Sequence, residues 1–205
     1  MTDDERDVPP PGYYERRAKL ELRKRLRGLR NTTPASACDA RSVRIVERLL
    51  ALDALSPAKR VALFWPIVAR HEVDLRAFDA ALRARGARVA YPAIDPETGV
   101  MTFRFVDDVA DLEVQGYGFA EPAAAAEEAT ELDAVIAPAL AIDSRGYRLG
   151  YGAGYYDRTL PRFCPPAVSV AVAFDFQLLV EVPLTEGDVA CDWIVTDTRT
   201  LAAER

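Results

Sequence analysis

Glycines at 146, 150, 152 and 154 restrict this chain more than any other feature. They fall in segment 143–158, Asp-Ser-Arg-Gly-Tyr-Arg-Leu-Gly-Tyr-Gly-Ala-Gly-Tyr-Tyr-Asp-Arg, shortly after the apolar run 134–138. Glycine reaches positive φ and brings backbone N–H groups against a ligand with no Cβ in the way. Set at the C-terminal end of a strand, such a loop has the layout of an anion site, with phosphate the usual guest. Residues 154–160 are expected to open a helix whose N-terminal N–H groups and dipole add to the same field. A plain tight crossover after a strand is the competing explanation. The spacing is neither that of a Walker A loop, since no Gly-Lys-Ser/Thr follows, nor Gly-x-Gly-x-x-Gly, since Tyr155 takes the third glycine position.

The rest of the chain reads as alternating helices and strands. Residues 1–13, with Pro9-Pro10-Pro11-Gly12, are expected to be a disordered leader, and 14–205 a single domain. Segment 14–30 is helical and strongly basic, with Leu22, Leu26 and Leu29 on one face. Thr33-Pro34 should cap a second helix running to about 52, with Val43, Val46 and Leu50 as its stripe. Segment 61–65 reads as a strand buried on both faces. Asp74 should cap a helix over 75–85 that Gly86 ends. Strands follow at 88–92, 101–105, 134–138 and 168–174, and 193–196 is read as the last. The alternation implies an α/β fold, a single Rossmann-like three-layer domain whose mainly parallel sheet is covered by helices on both faces. Ligands are then expected beyond the strand C-terminal ends. Strand order is not legible.

Composition narrows the function. A net charge of −6 argues against a nucleic-acid binder, and no apolar stretch is long enough to span a bilayer. Cys38, Cys164 and Cys191 form no C-x-x-C pair and, being three, no complete disulfide set. The cysteines read as reduced thiols in a cytosol and the acidic start has no apolar signal region, so a cytoplasmic location is expected; the protein is also expected to be a monomer. One histidine, His71, leaves no His-rich zinc site, and no serine sits in a nucleophile-elbow pattern beside it. Within the basic helix, Lys19 and Arg23 are four apart and project from one side, so both can reach one polyphosphate.

Arg148-Leu149-Gly150-Tyr151-Gly152-Ala153-Gly154-Tyr155-Tyr156-Asp157-Arg158 closely resembles the signature of the 5-formyltetrahydrofolate cyclo-ligases, also called methenyltetrahydrofolate synthetases. Weaker matches fall in order on either side: Lys19-Leu20-Glu21-Leu22-Arg23, Tyr91-Pro92 followed by Met101-Thr102-Phe103, Gly116 to Pro122 with its Glu121-Pro122, Ile142-Asp143, and Pro183 to Asp188. Gly187 stands where many members have His, and Leu75 where many have Thr.

The resemblance implies ATP- and Mg²⁺-dependent cyclisation of 5-formyltetrahydrofolate to 5,10-methenyltetrahydrofolate through a phosphorylated formyl intermediate, with ADP and phosphate released. It assigns nucleotide binding to Lys19, Arg23, Arg148, Leu149, Gly150, Tyr151, Gly152, Ala153, Gly154, Tyr155 and Tyr156. Folate binding goes to Trp65, Glu72, Tyr151, Gly152, Ala153, Gly154 and Tyr155, magnesium to Asp157 and Asp188, and the catalytic positions to Arg148 and Tyr155. The residue types suit phosphoryl transfer, which needs positioning and charge neutralisation more than a protein nucleophile. Two alternatives stay open: a non-catalytic or altered-specificity nucleotide- or folate-binding relative, and a phosphosugar isomerase-like enzyme on the same scaffold.

Overall fold

The computed structural model describes residues 9–114 and 119–204. Most of the expected leader, and Gly116, Tyr117 and Gly118 of the loop ending in Glu121-Pro122, lie outside the described residues. The first helix, α1, begins at Tyr13 and runs Tyr13–Thr32; just before it Tyr13 N donates to Pro10 O (3.1 Å). It is followed by α2 (Ala35–Leu50), β1 (Arg60–Ala62), α3 (Arg76–Ala84), β2 (Arg88–Ile94) and β3 (Met101–Phe105). Next come β4 (Glu113–Val114), β5 (Ala120–Glu121), β6 (Ala134–Pro138), β7 (Ala141–Ile142), β8 (Arg148–Leu149) and α4 (Tyr155–Thr159). The chain closes with β9 (Val168–Val172), β10 (Trp193–Val195) and β11 (Thr200–Ala202).

Seven of these strands form one sheet in the order β11-β10-β9-β6-β1-β2-β3. Its five inner strands are parallel, and β3 and β11 are antiparallel edges. The fold is thus the expected α/β class; its main sheet has one strand more than the sequence suggested, since β11 pairs with β10 after the supposed last strand, and the short β4-β5 and β7-β8 pairs were not expected either. Strands β1 and β6 lie side by side, in register at Val61 and Ala134, yet the chain leaves them in opposite directions. After β1 it moves to β2, and after β6 to β9. That divergence is a topological switch point, where two loops splay apart beyond the strand ends and leave a crevice.

Alternation along the strands divides the core. Val61, Val89, Ala134, Ile136, Val170 and Val172 face α2 and α3, which supply Ile45, Leu49, Phe78 and Leu82. Ala62, Ala90, Ala137, Ala171 and Ile194 face the other way, toward Phe103, Leu160 and Phe163. The alanines on that side let irregular backbone and one short helix approach where a long helix covers the first. Each fully buried large apolar side chain contributes about 1.5–3 kcal/mol.

Helix α1 does not lie on the sheet. It packs Leu22 and Leu26 against Ala141, Leu149 and Val182, on the β7–β8 hairpin. Its buried residues are Lys19, Leu26 and Arg30, whereas Leu29 is exposed, so the face expected from leucine spacing is rotated. On α2 the buried stripe is Cys38, Ser42, Ile45, Val46 and Leu49, and Val43 and Leu50 face solvent. Thr33 does not cap α2 with its side chain; its hydroxyl donates to Leu29 O (2.9 Å), finishing α1 instead. Among the described residues no helix is long and apolar enough to cross a membrane.

Candidate functional site

The two loops leaving the switch point build the site. The one after β1 passes Phe64 and Trp65, makes a single 3-10 turn (Val68–Arg70), and reverses at His71, which takes a left-handed φ of 49°. Glu72 closes the reversal by accepting from Ile67 N (2.9 Å), and the His71 Nδ1 lies 3.3 Å from the Arg30 carbonyl oxygen of α1.

The loop after β6 is the glycine segment, carried on the β7–β8 hairpin. Asp143, fully buried, organises the hairpin turn by accepting from Arg145 N, Tyr147 N and Val182 N (each 3.1 Å). Gly146 is required sterically, because a Cβ there would run into the Cys191 carbonyl oxygen. Gly152 is required conformationally, at φ +116°, with the Arg23 guanidinium 3.5 Å from where its Cβ would be. The helix that follows is one turn long, shorter than the sequence suggested, and Arg158 Nη1 ties it back to Ala153 O (2.8 Å).

Between the loops lies a cavity of about 240 Å³. Its walls include Phe64, Trp65, Ile94, Met101, Phe119 and Leu140 on the apolar side and residues 150–156 of the glycine loop on the other. Trp65 is braced edge-on by the buried Tyr91 ring (centroids 5.9 Å apart). The charged lining residues are Arg30, Arg70, Glu72, Arg148 and Asp157. Arg148 Nη2 pairs with Asp157 Oδ1 at 3.0 Å, and its Nη1 donates to Val189 O (2.8 Å). Tyr156 presents a buried hydroxyl with no hydrogen-bond partner among the described residues, and burial raises its pKa well above the ordinary phenol value.

A second network spans the opening. Tyr151, from the glycine loop, donates its hydroxyl to Glu72 Oε1 and accepts from Arg30 Nη2, while Arg30 and Glu72 lie 3.9 Å apart. The guanidinium groups of Arg30 and Arg70 sit 5.7 and 5.2 Å from the centre of the Tyr151 ring. Burial, and after it the Glu72 charge, pushes the Tyr151 phenol up to about 12.

Lys19, Arg23 and Asp188 do not line the cavity but flank the glycine loop. Lys19 Nζ binds Asp188 Oδ2 and Thr185 Oγ1 (2.7 Å to the latter), and Arg23 Nε donates to Gly150 O (2.9 Å). Burial and then the Arg27 charge lower the Arg23 pKa, while the Asp188 and Asp157 charges act to raise it. All the sequence-predicted residues but one thus fall into two adjoining sets: Trp65, Glu72, Arg148 and 150–157 in the cavity wall, and Lys19, Arg23 and Asp188 beside it; Leu149 does not line the cavity but is buried in the apolar cluster under α1.

The protein bonds to Asp157 fall on Oδ1 and those to Asp188 on Oδ2. The other oxygen of each carboxylate accepts none of these bonds. Two carboxylates and water suit magnesium, which keeps much of its hydration. Among the described residues no cluster of three or more His, Cys, Asp or Glu side chains gathers, which a larger all-protein cage would need.

Sequence reasoning passed over Arg30 and Arg70. Arg30 was legible in principle: positions 19, 23, 26 and 30 share one helical face, and two of them already carried the phosphate argument. Nothing local marks Arg70.

Comparison with known proteins matches the model of the 5-formyltetrahydrofolate cyclo-ligase family over residues 15–197. The 5-formyltetrahydrofolate cyclo-ligase of Mycolicibacterium smegmatis is 45% identical over 80 residues, which are 39% of this chain and 41% of that protein. The enzyme of that name from Escherichia coli K12 is 29% identical over 157 residues, 69% of this chain and 86% of that one. Among solved structures, 5,10-methenyltetrahydrofolate synthetase of Aquifex aeolicus superposes with a TM-score of 0.79 at 29% identity, covering 91% of this chain and 93% of that chain.

Proposed function

Because this chain belongs to the 5-formyltetrahydrofolate cyclo-ligase family, we propose that it closes 5-formyltetrahydrofolate to 5,10-methenyltetrahydrofolate with ATP and Mg²⁺, releasing ADP and phosphate. One feature supports this above all. The cavity at the switch point sets an aromatic and aliphatic wall, Trp65 and Phe64 included, against a glycine loop flanked by Lys19, Arg23 and Arg148. A flat heterocycle and a polyphosphate can meet there.

The chemistry needs that meeting. A formyl amide oxygen is a very poor leaving group. Once the oxygen takes the γ-phosphoryl group and ADP departs, the formyl carbon carries a phosphate. The N10 lone pair adds to that carbon, the carbon–oxygen bond breaks with loss of phosphate, and the N10 proton passes to solvent. No protein nucleophile takes part, so positioning and charge neutralisation do the catalysis.

In this reading Trp65 and Tyr155 bracket the ring, and Glu72 accepts from its N–H groups after giving up Tyr151. Arg148, held in line by Asp157, lies beside the transferring group. Lys19 and Arg23 exchange Asp188 and the Gly150 carbonyl for phosphate oxygens. Glycine-loop N–H groups add neutral donors. Asp157 and Asp188 would hold magnesium, which when bound neutralises charge on the phosphate oxygens.

The test is direct. Purified protein with 5-formyltetrahydrofolate, ATP and Mg²⁺ should show growing methenyl absorbance with one ADP formed per ring closed. Tight binding of both ligands without turnover would mark a non-catalytic relative. Turnover without ATP consumption would overturn the phosphoryl-transfer scheme.

A further inference from the structure

We propose that Arg70 is a carboxylate subsite that selects for the acidic tail of the folate substrate; this rests on the reading above that the cavity takes the folate ring. Arg70 lines the cavity, is exposed, and makes no ion pair among the described residues. The other charged lining groups are engaged: Arg148 with Asp157, and Arg30 with Glu72. Arg70 is also held. It ends the one-turn 3-10 helix, is followed by the left-handed His71 anchored near Arg30 O, and rests 5.2 Å from the Tyr151 ring centre. An unpaired guanidinium kept in place at the rim of an apolar cavity is preorganised for an anion, and its planar fork suits a carboxylate.

The size of the cavity points the same way. At about 240 Å³ it falls below the roughly 300–1,000 Å³ that encloses a drug-sized ligand. A pterin ring placed against Trp65 leaves the glutamyl end of the molecule to emerge past the rim, where Arg70 stands. Nucleotide phosphates are a less suitable guest for this residue, because Lys19 and Arg23 meet the glycine loop from α1 while Arg70 comes from the loop beyond β1.

The experiment compares wild type, Arg70→Gln and Arg70→Lys on 5-formyltetrahydrofolate and on the same compound lacking its glutamate. Arg70→Gln should raise KM for the glutamyl substrate about three- to tenfold, the range between an exposed pair and a charge-assisted hydrogen bond. KM for the tail-less compound, KM for ATP and kcat should stay put, and Arg70→Lys should restore part of the loss. The selectivity of wild type for the glutamyl substrate should shrink as salt rises. Equal changes on both compounds, a rise in KM for ATP instead, or no change at all would overturn the subsite. If wild type turns over neither compound, the ligase reading fails, and the subsite is judged by binding of folate against pteroate through tryptophan fluorescence. Folate affinity lost only in Arg70→Gln then sustains it, and equal affinities of wild type for the two ligands overturn it.

Discussion

Arg148 reaches Asp157 across the glycine loop, Nη2 to Oδ1 at 3.0 Å, and so ties the start of the loop to the helix that ends it. The Arg148 side chain is 3% exposed and that of Asp157 26%. Asp157→Asn therefore leaves a buried cation without its counter-charge. It should cost about 2–3 kcal/mol, toward the lower end for buried pairs because Asp157 is partly exposed. Denaturant unfolding measures that loss, and magnesium titration of activity measures a second effect. If the titration curve is unchanged while stability falls, Asp157 is an ion-pair partner only.

Lys19 and Asp188 make the corresponding test on the other side of the loop. Lys19→Ala removes the Asp188 partner and, if the proposed function holds, a phosphate-binding cation as well, so KM for ATP should rise on the order of tenfold or more. Arg16, exposed and bonded to Pro11 O (2.7 Å), should tolerate alanine with little change. A double-mutant cycle of Lys19→Ala with Asp188→Asn should be strongly non-additive, and additivity would mean that the two act independently.

The glycines separate by geometry. A Cβ on Gly150 meets nothing within 4 Å and its φ is not positive, so Gly150→Ala should keep the fold and most activity. Gly152 sits at φ +116°, so both Ala and Val there should cost at least 1–3 kcal/mol of strain or displace the loop. The presence of Ala153 next to it suggests from sequence that alanine would be mild at 152, and the backbone angle removes that expectation. Gly146→Ala should destabilise the whole chain because of Cys191. Calorimetry and activity measured together distinguish these outcomes.

Tyr151 gives a pH signature. Its phenol is raised to about 12 by burial and then by Glu72, while an unfolded tyrosine ionises near 10. Between those values the unfolded chain has lost the proton that the folded one keeps. The contribution is therefore complete below pH 10 and disappears as pH rises through 12. Tyr151→Phe should flatten the alkaline loss of stability relative to wild type. It should also change KM for the formyl substrate by several-fold, since Glu72 loses a hydrogen-bond donor. Identical alkaline unfolding curves for the two proteins would remove Tyr151 from the network.

The glycine segment was legible because its meaning is local: spacing alone marks a loop that backbone must line. The α/β class followed from alternation. Strand order did not, since the adjacency of β1 and β6 is a tertiary fact, and it is that adjacency which brings Trp65 and Glu72 to the glycine loop. The networks escaped for the same reason, with Tyr151 joined to Glu72 across 79 positions and to Arg30 across 121. Helix faces were misjudged by a residue or so where apolar side chains offered two stripes, as Val43 and Ile45 did on α2. On α1 the tertiary environment buried cations instead of Leu29. Strand β11, three residues long, carries too little pattern to announce itself.

Helix α1 supplies Lys19, Arg23 and Arg30 yet rests on a two-stranded hairpin through the small cluster of Leu22, Leu26, Ala141, Leu149 and Val182. With so small an apolar contact, α1 should open separately from the alanine- and valine-rich sheet, exposing less apolar surface than global unfolding does. Amide protons of α1 should exchange through that smaller opening while those of β1, β6 and β9 wait for the whole domain. Any nucleotide that bridges α1 to the glycine loop then adds its binding energy to the weaker unit, and the protection it confers concentrates there.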